Sequence, residues 1–186
     1  GAFTHILREI GWSARRLDGG YKSWRHHVLQ GLQILPAGLR LQVIAGPTGS
    51  AKSRLLEALA QQGAQVLHLE QLARHKGSIL GDLPDIDQPS QKGFETLLYS
   101  ALAALDPQRP VFVEAESRRI GALRLPDAIT DAIRAAPCLV LSAPLEARVE
   151  FLLRDYGYLC DAEKLDEQLE RLKEIQGKER IAQWQA

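Results

Sequence analysis

Apolar runs and amphipathic helical patterns alternate regularly over residues 38–155 of the 186-residue chain. Short apolar runs that alternate with helical patterns are typical of buried parallel strands and the helices that cover them. The predicted strands are Leu39–Ala45, Gln65–Leu69, Pro110–Glu114 and Cys138–Ala143. The predicted helices are Ala51–Gln62, a short helix ending at Arg74, Ser90–Leu105, Pro126–Ala135 with proline at its first helical position, and Leu145–Asp155. The pattern therefore predicts an α/β fold with a parallel sheet and helices on both faces.

Weaker patterns flank this region on both sides. Residues 1–36 predict a helix over Ala2–Ile10, a strand over Ser13–Leu17 and a helix over Tyr21–Leu32, which are too few residues to form a core alone. The last segment is charged and predicts a helix over Ala162–Gln185, with one apolar face formed by Leu165, Leu169, Leu172 and Ile175. We thus divide the chain into residues 1–36, a central domain over 37–160 and a helical segment over 161–186.

Composition excludes several classes of protein. The formal net charge is zero, so the chain is not a strongly basic nucleic-acid binder, and any RNA contact must come from a local patch. The two cysteines, Cys138 and Cys160, lack metal-ligand spacing, which indicates a reducing compartment; Cys138 lies in an apolar run and is predicted to be buried. The sequence has no signal peptide and no apolar run long enough to span a membrane, so we expect a cytoplasmic protein. Because the chain lacks methionine and starts Gly1-Ala2, we expect it to be a fragment of a longer protein.

A glycine-rich turn joins the first central strand to the helix that follows it, with the sequence Gly46-Pro47-Thr48-Gly49-Ser50-Ala51-Lys52-Ser53. This pattern predicts a phosphate-binding P-loop, because the free N–H groups and the dipole at a helix N-terminus attract phosphate oxygens. We expect Gly46, Thr48, Gly49, Ser50 and Ala51 to form the cradle, Lys52 to add a full positive charge, and Ser53 to hold Mg²⁺. Ala51 departs from the pattern, which has glycine there; a positive φ at alanine costs about 1–2 kcal/mol. An ordinary turn with a surface lysine is the alternative.

Carboxylates and arginines follow the third predicted strand. In P-loop proteins the carboxylate at such a strand end faces the phosphates, so Glu114 is predicted to hold Mg²⁺ and Glu116 to act as a base. This role requires the third strand to lie beside the first, which would then be central. Arg118 and Arg119 are candidates for neutralising a leaving diphosphate, and a solvated basic surface is the alternative.

Two loops carry further candidate residues. His75 and Ser78 follow the second strand on the edge where α/β sheets bind ligands, although we favour simple exposure for a lone loop histidine. Gln88 and Ser90 precede a helix, and Ser90 is well placed as its N-cap. A structural role suffices to explain Ser90.

Several segments in order resemble one family. Residues 17–24 resemble the closing strand and last helix of a rhodanese domain. The P-loop is followed by Leu69-Glu70, Leu72-Ala73-Arg74-His75-Lys76-Gly77-Ser78, Gln88-Pro89-Ser90-Gln91, Phe94-Glu95 and Glu114-x-Glu116-Ser117-Arg118-Arg119-Ile120-Gly121. This succession resembles the tRNA 2-selenouridine synthases, which join an N-terminal rhodanese domain to a P-loop domain. The resemblance covers nearly the whole chain and identifies residues 1–36 as the end of a rhodanese-like domain.

The resemblance implies a tRNA-modifying transferase. The family converts 2-thiouridine at the wobble position into 2-selenouridine: it geranylates the sulfur with geranyl diphosphate and then displaces the S-geranyl group with selenium from selenophosphate. It also implies that the P-loop holds geranyl diphosphate with Mg²⁺, that Glu116, Arg118 and Arg119 are catalytic, and that His75, Ser78, Gln88 and Ser90 contact substrate. The rhodanese cysteine linked to selenation has no counterpart in this sequence, so we expect no selenation by this chain alone.

The chain departs from the family at three positions, and other functions stay open. It has Ala51 for glycine, His68 for aspartate before Leu69-Glu70, and Ala115 for aspartate between Glu114 and Glu116. A P-loop kinase or NTPase is one alternative, for which Pro144–Arg148 would begin a lid-like arginine helix. A non-catalytic interaction module with a degenerate loop is the other.

Overall fold

A computed structural model describes residues 2–78, 80–159, 165–166 and 169–185 of the chain. The strands are β1 (Arg40–Ala45), β2 (Gln65–Leu67), β3 (Pro110–Glu114), β4 (Arg119–Ile120), β5 (Leu123–Arg124) and β6 (Cys138–Val140). The helices are α1 (Ala2–Glu9), α2 (Gly20–Ile34), α3 (Lys52–Gln61), α4 (Leu69–Ala73), α5 (Gln91–Ala103), α6 (Asp127–Ala135), α7 (Leu145–Asp155), α8 (Lys173–Gln176) and α9 (Lys178–Gln185). Single 3₁₀ turns occupy Leu35–Gly38 and Gly157–Leu159.

Four strands form the parallel sheet that the apolar runs predict, in the order β2-β3-β1-β6. The pairs β1–β3, β1–β6 and β2–β3 are all parallel. In the register of the inner pair, Ile44 of β1 lies beside Glu114 of β3. The prediction that the third strand lies next to an inner first strand is therefore confirmed. The carboxyl ends of these strands meet at one edge, where parallel α/β sheets bind ligands.

The hydrophobic core lies mainly on one face of the sheet. Its buried members include Leu41 and Val43 of β1, Phe94 of α5 and Ile129 of α6. Val28 of α2 is fully buried in the same cluster, so α2 packs with the central sheet instead of forming a separate core. Residues of this core are spaced two apart along each strand, because side chains alternate across a sheet.

Helix α3 covers the other face. It packs on β2 and β3, and its buried Leu56 lies outside the main core cluster, as does Ile44 of β1. Ile44 alternates with Val43, which places it on the face opposite that cluster. The sheet thus has helices on both faces, as predicted, and α3 begins directly after the glycine-rich turn.

Several element boundaries differ from the predictions. Ser13–Leu17 forms no strand, because no neighbouring strand in the described chain supplies hydrogen bonds, and Leu17 is 55% exposed. Strand β2 stops at Leu67, since His68 leaves the extended conformation and α4 begins at the next residue. Pro126 has extended ψ and is the N-cap of α6, so the prediction of proline at the first helical position is wrong.

Strand β6 is the outermost strand, and the expected burial of Cys138 is wrong. Cys138, Leu139 and Val140 are all exposed, with Val140 73% exposed. The strand is also shorter than the predicted Cys138–Ala143. It pairs with β1 along one side, and no element among the described residues buries its side chains. Cys160 lies outside the described residues.

The C-terminal segment contains two described helices instead of one continuous helix. Helices α8 and α9 are separated by Gly177, whose φ of +84° interrupts the helical conformation. Leu169 and Ile181 are buried, whereas Leu165 is 37% exposed. The predicted helix over Ala162–Gln185 is therefore broken at Gly177, and residues 162–164 and 167–168 lie outside the described part.

Candidate functional site

The glycine-rich turn connects the end of β1 to the first turn of α3 and has the conformation of a cradle. Gly46 and Gly49 have φ values of +155° and +83°. A Cβ on Gly46 would lie 2.6 Å from the Ser50 hydroxyl and 2.8 Å from the carbonyl of Leu141, so only glycine fits there. Ala51 has φ +61° and ψ +30°, in the left-handed region. Ala51 therefore has the positive φ that carries a strain of about 1–2 kcal/mol at alanine.

The side chains that follow the cradle point back to the turn and across to the sheet. Lys52 Nζ donates to the carbonyl of Gly46 at 2.9 Å, so its charge lies at the mouth of the turn. The Ser53 hydroxyl donates to a carboxylate oxygen of Glu70 at 3.1 Å. Ser50 is buried, and its hydroxyl has no partner among the described residues. A lysine, a hydroxyl and a helix N-terminus thus converge, as a phosphate site requires.

A cleft of about 530 Å³ opens beside the turn at the carboxyl edge of the sheet. Most of its lining is polar or glycine and comes from Gly46, Thr48, Gly49, Ala51, Lys52, Ser53, Glu70, His75, Lys76, Gly77, Ser78 and Glu116. The lining also includes larger apolar side chains: Leu83, Phe151, Leu152 and the ring of Tyr156. We call these four residues the apolar wall. The cleft therefore has both a polar and an apolar part of its lining.

Helix α7 packs against the glycine-rich turn and carries Phe151 and Leu152 of the apolar wall. A Cβ on Gly49 would lie 2.8 Å from the carbonyl of Arg148 and 3.0 Å from Cγ of Leu152. Arg148 Nε also donates to the carbonyl of Thr48 at 2.9 Å. The arginine helix predicted after Pro144 is present, and Arg148 ties it to the turn.

Three carboxylates, those of Glu70, Glu114 and Glu116, lie close together at this edge of the sheet, and Glu70 contacts Ser53. Glu114 is 3% exposed and accepts a hydrogen bond from the backbone N–H of Glu70 at 2.9 Å, while its other oxygen has no partner among the described residues. Burial raises the pKa of the Glu114 carboxyl to about 7. Burial, together with the charges of Glu70 and Glu114, raises the pKa of Glu116 to about 8. The cluster therefore holds protons near neutral pH when no cation neutralises it.

The oxygen atoms of this cluster suit a magnesium site in which substrate phosphates supply some of the ligands. In the described part of the chain, no three histidine, cysteine, aspartate or glutamate side chains form a complete metal site. Mg²⁺ usually takes one or two carboxylates and completes its shell with water and substrate phosphates. The unpartnered oxygen of Glu114 and the Ser53 hydroxyl are hard oxygen donors of that kind. The residues present therefore fit Mg²⁺ held jointly with a phosphate ligand.

Comparison with known proteins identifies the family. The family model described as the tRNA 2-selenouridine synthase AAA domain matches residues 39–184. The chain belongs to this family.

Individual relatives agree with that assignment. A tRNA 2-selenouridine synthase from Alcanivorax borkumensis is 40% identical over 152 residues, which cover 81% of this chain and 41% of that protein. Another from Nitrosomonas europaea is 37% identical and covers 81% of this chain and 39% of that protein. One from Hahella chejuensis is 38% identical and covers 95% and 45%, respectively. The chain thus spans about two-fifths of the length of these relatives, and no solved structure shows a significant match.

His75 in this AAA domain lies inside the site, so the expectation of simple exposure is wrong. It is 4% exposed, and its Nδ1 accepts from the N–H of Gly77 at 3.2 Å. Its Nε2 lies 3.3 Å from a carboxylate oxygen of Asp82. These contacts are satisfied by an imidazole with its proton on Nε2. The histidine therefore positions the loop that carries Gly77, in addition to lining the cleft.

The C-terminal end of α7 lines the cleft and contacts the loop that follows α4. Lys76 Nζ lies 2.8 Å from a carboxylate oxygen of Asp155 and 4.4 Å from the ring centre of Tyr156. The Tyr156 hydroxyl lies 2.9 Å from that of Ser78. Burial raises the pKa of the Tyr156 hydroxyl, which keeps it protonated. Sequence reasoning assigned no role to Lys76, Asp155 or Tyr156, because their contacts join residues nearly 80 positions apart.

Other predicted residues lie outside the cleft of the AAA domain. Gln88 donates to the carbonyls of Ala73 and Ile120 at 3.0 and 3.1 Å, and so connects two loops. Ser90 caps α5 by accepting from Gly93, as predicted. Arg118 and Arg119 are exposed and are not among the residues that line the cleft. The substrate and catalytic roles of these four residues stay predictions.

The described helices of the AAA domain include none that is both long and apolar enough to cross a membrane.

Proposed function

We propose that this chain is the diphosphate-binding domain of a tRNA-modifying transferase that converts wobble 2-thiouridine to 2-selenouridine through an S-geranyl intermediate. The observation that carries the proposal is a cleft lined by both the glycine-rich turn and the apolar wall, with Leu152 of that wall packed beside Gly49 of the turn. Geranyl diphosphate has the same two parts, a dianionic or trianionic head and a hydrocarbon tail. The name of the relatives, tRNA 2-selenouridine synthase, supports tRNA as the second substrate.

The head of the ligand is proposed to sit in the cradle formed by residues 46–53. The N-terminus of α3 provides backbone N–H donors, and Lys52 Nζ is free to exchange its 2.9 Å contact with the Gly46 carbonyl for a phosphate oxygen. A charge-assisted contact of this kind contributes about 1.5–3 kcal/mol. The diphosphate alone suffices to fill the cradle, so a nucleoside is not required.

The tail is proposed to lie along the apolar wall. Phe151 and Leu152 are half-buried and lie on α7, and Leu152 packs next to Gly49 of the cradle. This short distance matches a ligand whose hydrocarbon starts directly at the phosphate. Burial of about three methylene groups contributes about 2 kcal/mol, or about 30-fold in affinity over diphosphate alone.

Mg²⁺ is proposed to be held by Ser53 and Glu114, with Glu70 and Glu116 adjacent to it. A bound divalent cation would neutralise charge on the diphosphate as it leaves. Glu116 is proposed as the base, since its pKa of about 8 lies near the working pH, where proton transfer is efficient. Its role would be to take the N3 proton that 2-thiouracil loses when its sulfur is alkylated.

The proposed first reaction is a displacement at C1 of the geranyl group. The thiocarbonyl sulfur forms the new C–S bond, the C–O bond to diphosphate breaks, and its electron pair leaves with the diphosphate. Lys52 stabilises the charge that develops on that leaving group. The second step, exchange of the S-geranyl group for selenium from selenophosphate, is proposed for the whole enzyme in the cytoplasm and not for this chain alone.

A thermal-shift comparison tests this proposal. Geranyl diphosphate, inorganic diphosphate and ATP are each added with Mg²⁺ to the protein and to Lys52→Ala. We expect the largest stabilisation with geranyl diphosphate and a loss of that shift in Lys52→Ala. A larger shift with ATP would favour a kinase or NTPase, and no shift with any of the three would favour an interaction module; either result would overturn the proposal.

A further inference from the structure

Two arginines stand opposite each other on a short hairpin next to the cleft. Strand β4 pairs with β5 in antiparallel register, and Arg119 is the direct partner of Arg124. Both residues are exposed. Their neighbours in the hairpin, Ile120 and Leu123, are buried and face the core. Alternation along the strands therefore presents both guanidinium groups to solvent on one side.

The backbone that carries these arginines is held firmly. Gln88 donates to the carbonyl of Ile120 at 3.1 Å and accepts from the N–H of Ala122 at 2.8 Å. Gln91 donates to the carbonyl of Arg124 at 2.8 Å and accepts from its N–H at 2.9 Å. Two glutamine side chains thus fix the hairpin through four hydrogen bonds, and a ligand need not order the backbone on binding.

The positive charges of Arg119 and Arg124 have few acidic partners within the described residues. Like charges that face each other across two strands destabilise a hairpin. Arg124 lies 3.7 Å from Asp127, and both side chains of that pair are more than 60% exposed. The Arg119 side chain has no hydrogen bond or ion pair within the described residues. An exposed pair of like charges on a fixed backbone is suited to an anion supplied by a ligand.

The hairpin lies close to the cleft. Ser117 lines the cleft, and Arg119 follows two residues later, which is at most about 7 Å of extended chain. At the hairpin turn, a Cβ on Gly121 would lie 2.8 Å from Cδ2 of His75, another residue that lines the cleft. An RNA whose base enters the cleft would have its backbone within reach of the hairpin.

We infer that Arg119 and Arg124 bind phosphates of the RNA backbone beside the cleft, an inference that rests on the proposed function. Arginine pairs with phosphate oxygens through two parallel N–H donors, so two neighbouring arginines suit one phosphate or two successive ones. Because the net charge of the chain is zero, RNA affinity has to come from a local patch of this kind. The inference gives these arginines a ligand outside the cleft.

Salt dependence of tRNA binding tests the inference. The double variant Arg119→Gln with Arg124→Gln is compared with wild type, using an unmodified tRNA transcript in 50–200 mM KCl without any diphosphate. Loss of two phosphate contacts lowers the slope of log K against log salt by about 1.4 and weakens binding about 25-fold at 0.1 M. Arg40→Gln is the matched control, since Arg40 is exposed at the start of β1, on the opposite edge of the sheet. It should leave both values unchanged.

Three further measurements distinguish phosphate contacts on RNA from attraction to anionic surfaces in general. The double variant Arg119→Lys with Arg124→Lys keeps the charge and should keep the slope. Equal slopes in wild type and in the Arg119→Gln, Arg124→Gln variant would overturn the inference. It would also be overturned if that variant lost binding to phosphatidylglycerol vesicles but kept tRNA binding. Geranyl diphosphate binding is measured separately on the wild type. Failure of that ligand to bind would count against the proposed function and leave the RNA result interpretable.

Discussion

Replacement of Ala51 by glycine should stabilise the protein. Ala51 immediately precedes α3 and has φ +61° and ψ +30°. In this left-handed conformation an L-residue with a Cβ is strained by about 1–2 kcal/mol. Glycine adopts the same conformation without that strain.

The net effect is smaller than the strain, because glycine also changes the unfolded state. The added flexibility of the unfolded chain costs about 0.4–1 kcal/mol. The difference leaves a gain of about 0–1.6 kcal/mol in the free energy of unfolding. The midpoint of about 0.8 kcal/mol corresponds to a rise of about 2–3 °C in Tm for a chain of this size.

Urea unfolding of Ala51→Gly and of Ala58→Gly measures this effect with its control. Ala58 is exposed in the interior of α3, so glycine there should lower the free energy of unfolding by about 1 kcal/mol. The two identical substitutions, seven residues apart, should therefore shift stability in opposite directions. A loss of stability in Ala51→Gly as large as that in Ala58→Gly would refute the assignment of strain to the loop.

Three further predictions concern the cleft. Lys52→Ala should weaken binding of inorganic diphosphate about 10–150-fold in a calorimetric titration, since it removes a charge-assisted contact; unchanged affinity would show that the loop has only a structural role. Gly77→Ala should lower the free energy of unfolding more than Gly63→Ala, although both glycines have positive φ. A Cβ at position 77 would lie 2.6 Å from carboxylate oxygens of Glu70 and Glu116, whereas position 63 is open. Equal losses of stability in the two variants would contradict this crowding at position 77. The pKa of Glu116 rises from an ordinary 4.5 to about 8, so the folded state binds the proton more tightly and wild type should lose stability as pH rises from about 4.5 to 8. Glu116→Gln should remove only part of that loss, because the proton is shared within the cluster, and a variant with the same pH profile as wild type would contradict the raised pKa.

The sheet and the phosphate loop were predictable because their signals are local. Short apolar runs, each followed by helical spacing, predict β1, β3 and α3. The glycine-rich turn between β1 and α3 has a pattern that is typical of a phosphate-binding loop. The positive φ at Ala51 follows from the same pattern, since glycine normally occupies that position. The neighbouring order of β1 and β3 followed from the requirement that a carboxylate lie beside the phosphate.

Contacts between distant segments were not predictable in this way. Burial of His75 depends on contacts of its ring with Asp82 and with the backbone N–H of Gly77. The sequence pattern around His75 does not predict these contacts. Cys138 was expected to be buried because its neighbours are apolar, but an outermost strand exposes apolar residues when no helix covers it. The clustering of Glu70 with Glu116 depends on two strand ends meeting at one edge, and the sequence signals for Glu70 were its position after β2 and the Leu69-Glu70 match to the family.

The most direct test of the central claim is the product formed on tRNA. The protein is incubated with tRNA that carries wobble 2-thiouridine, geranyl diphosphate and Mg²⁺, and the digested nucleosides are analysed by mass spectrometry. We predict the S-geranyl nucleoside with wild type, formation without ATP, and at least a tenfold lower rate with Lys52→Ala. Unmodified tRNA accompanied by hydrolysis of added ATP would contradict the account and assign the cleft to nucleotide chemistry.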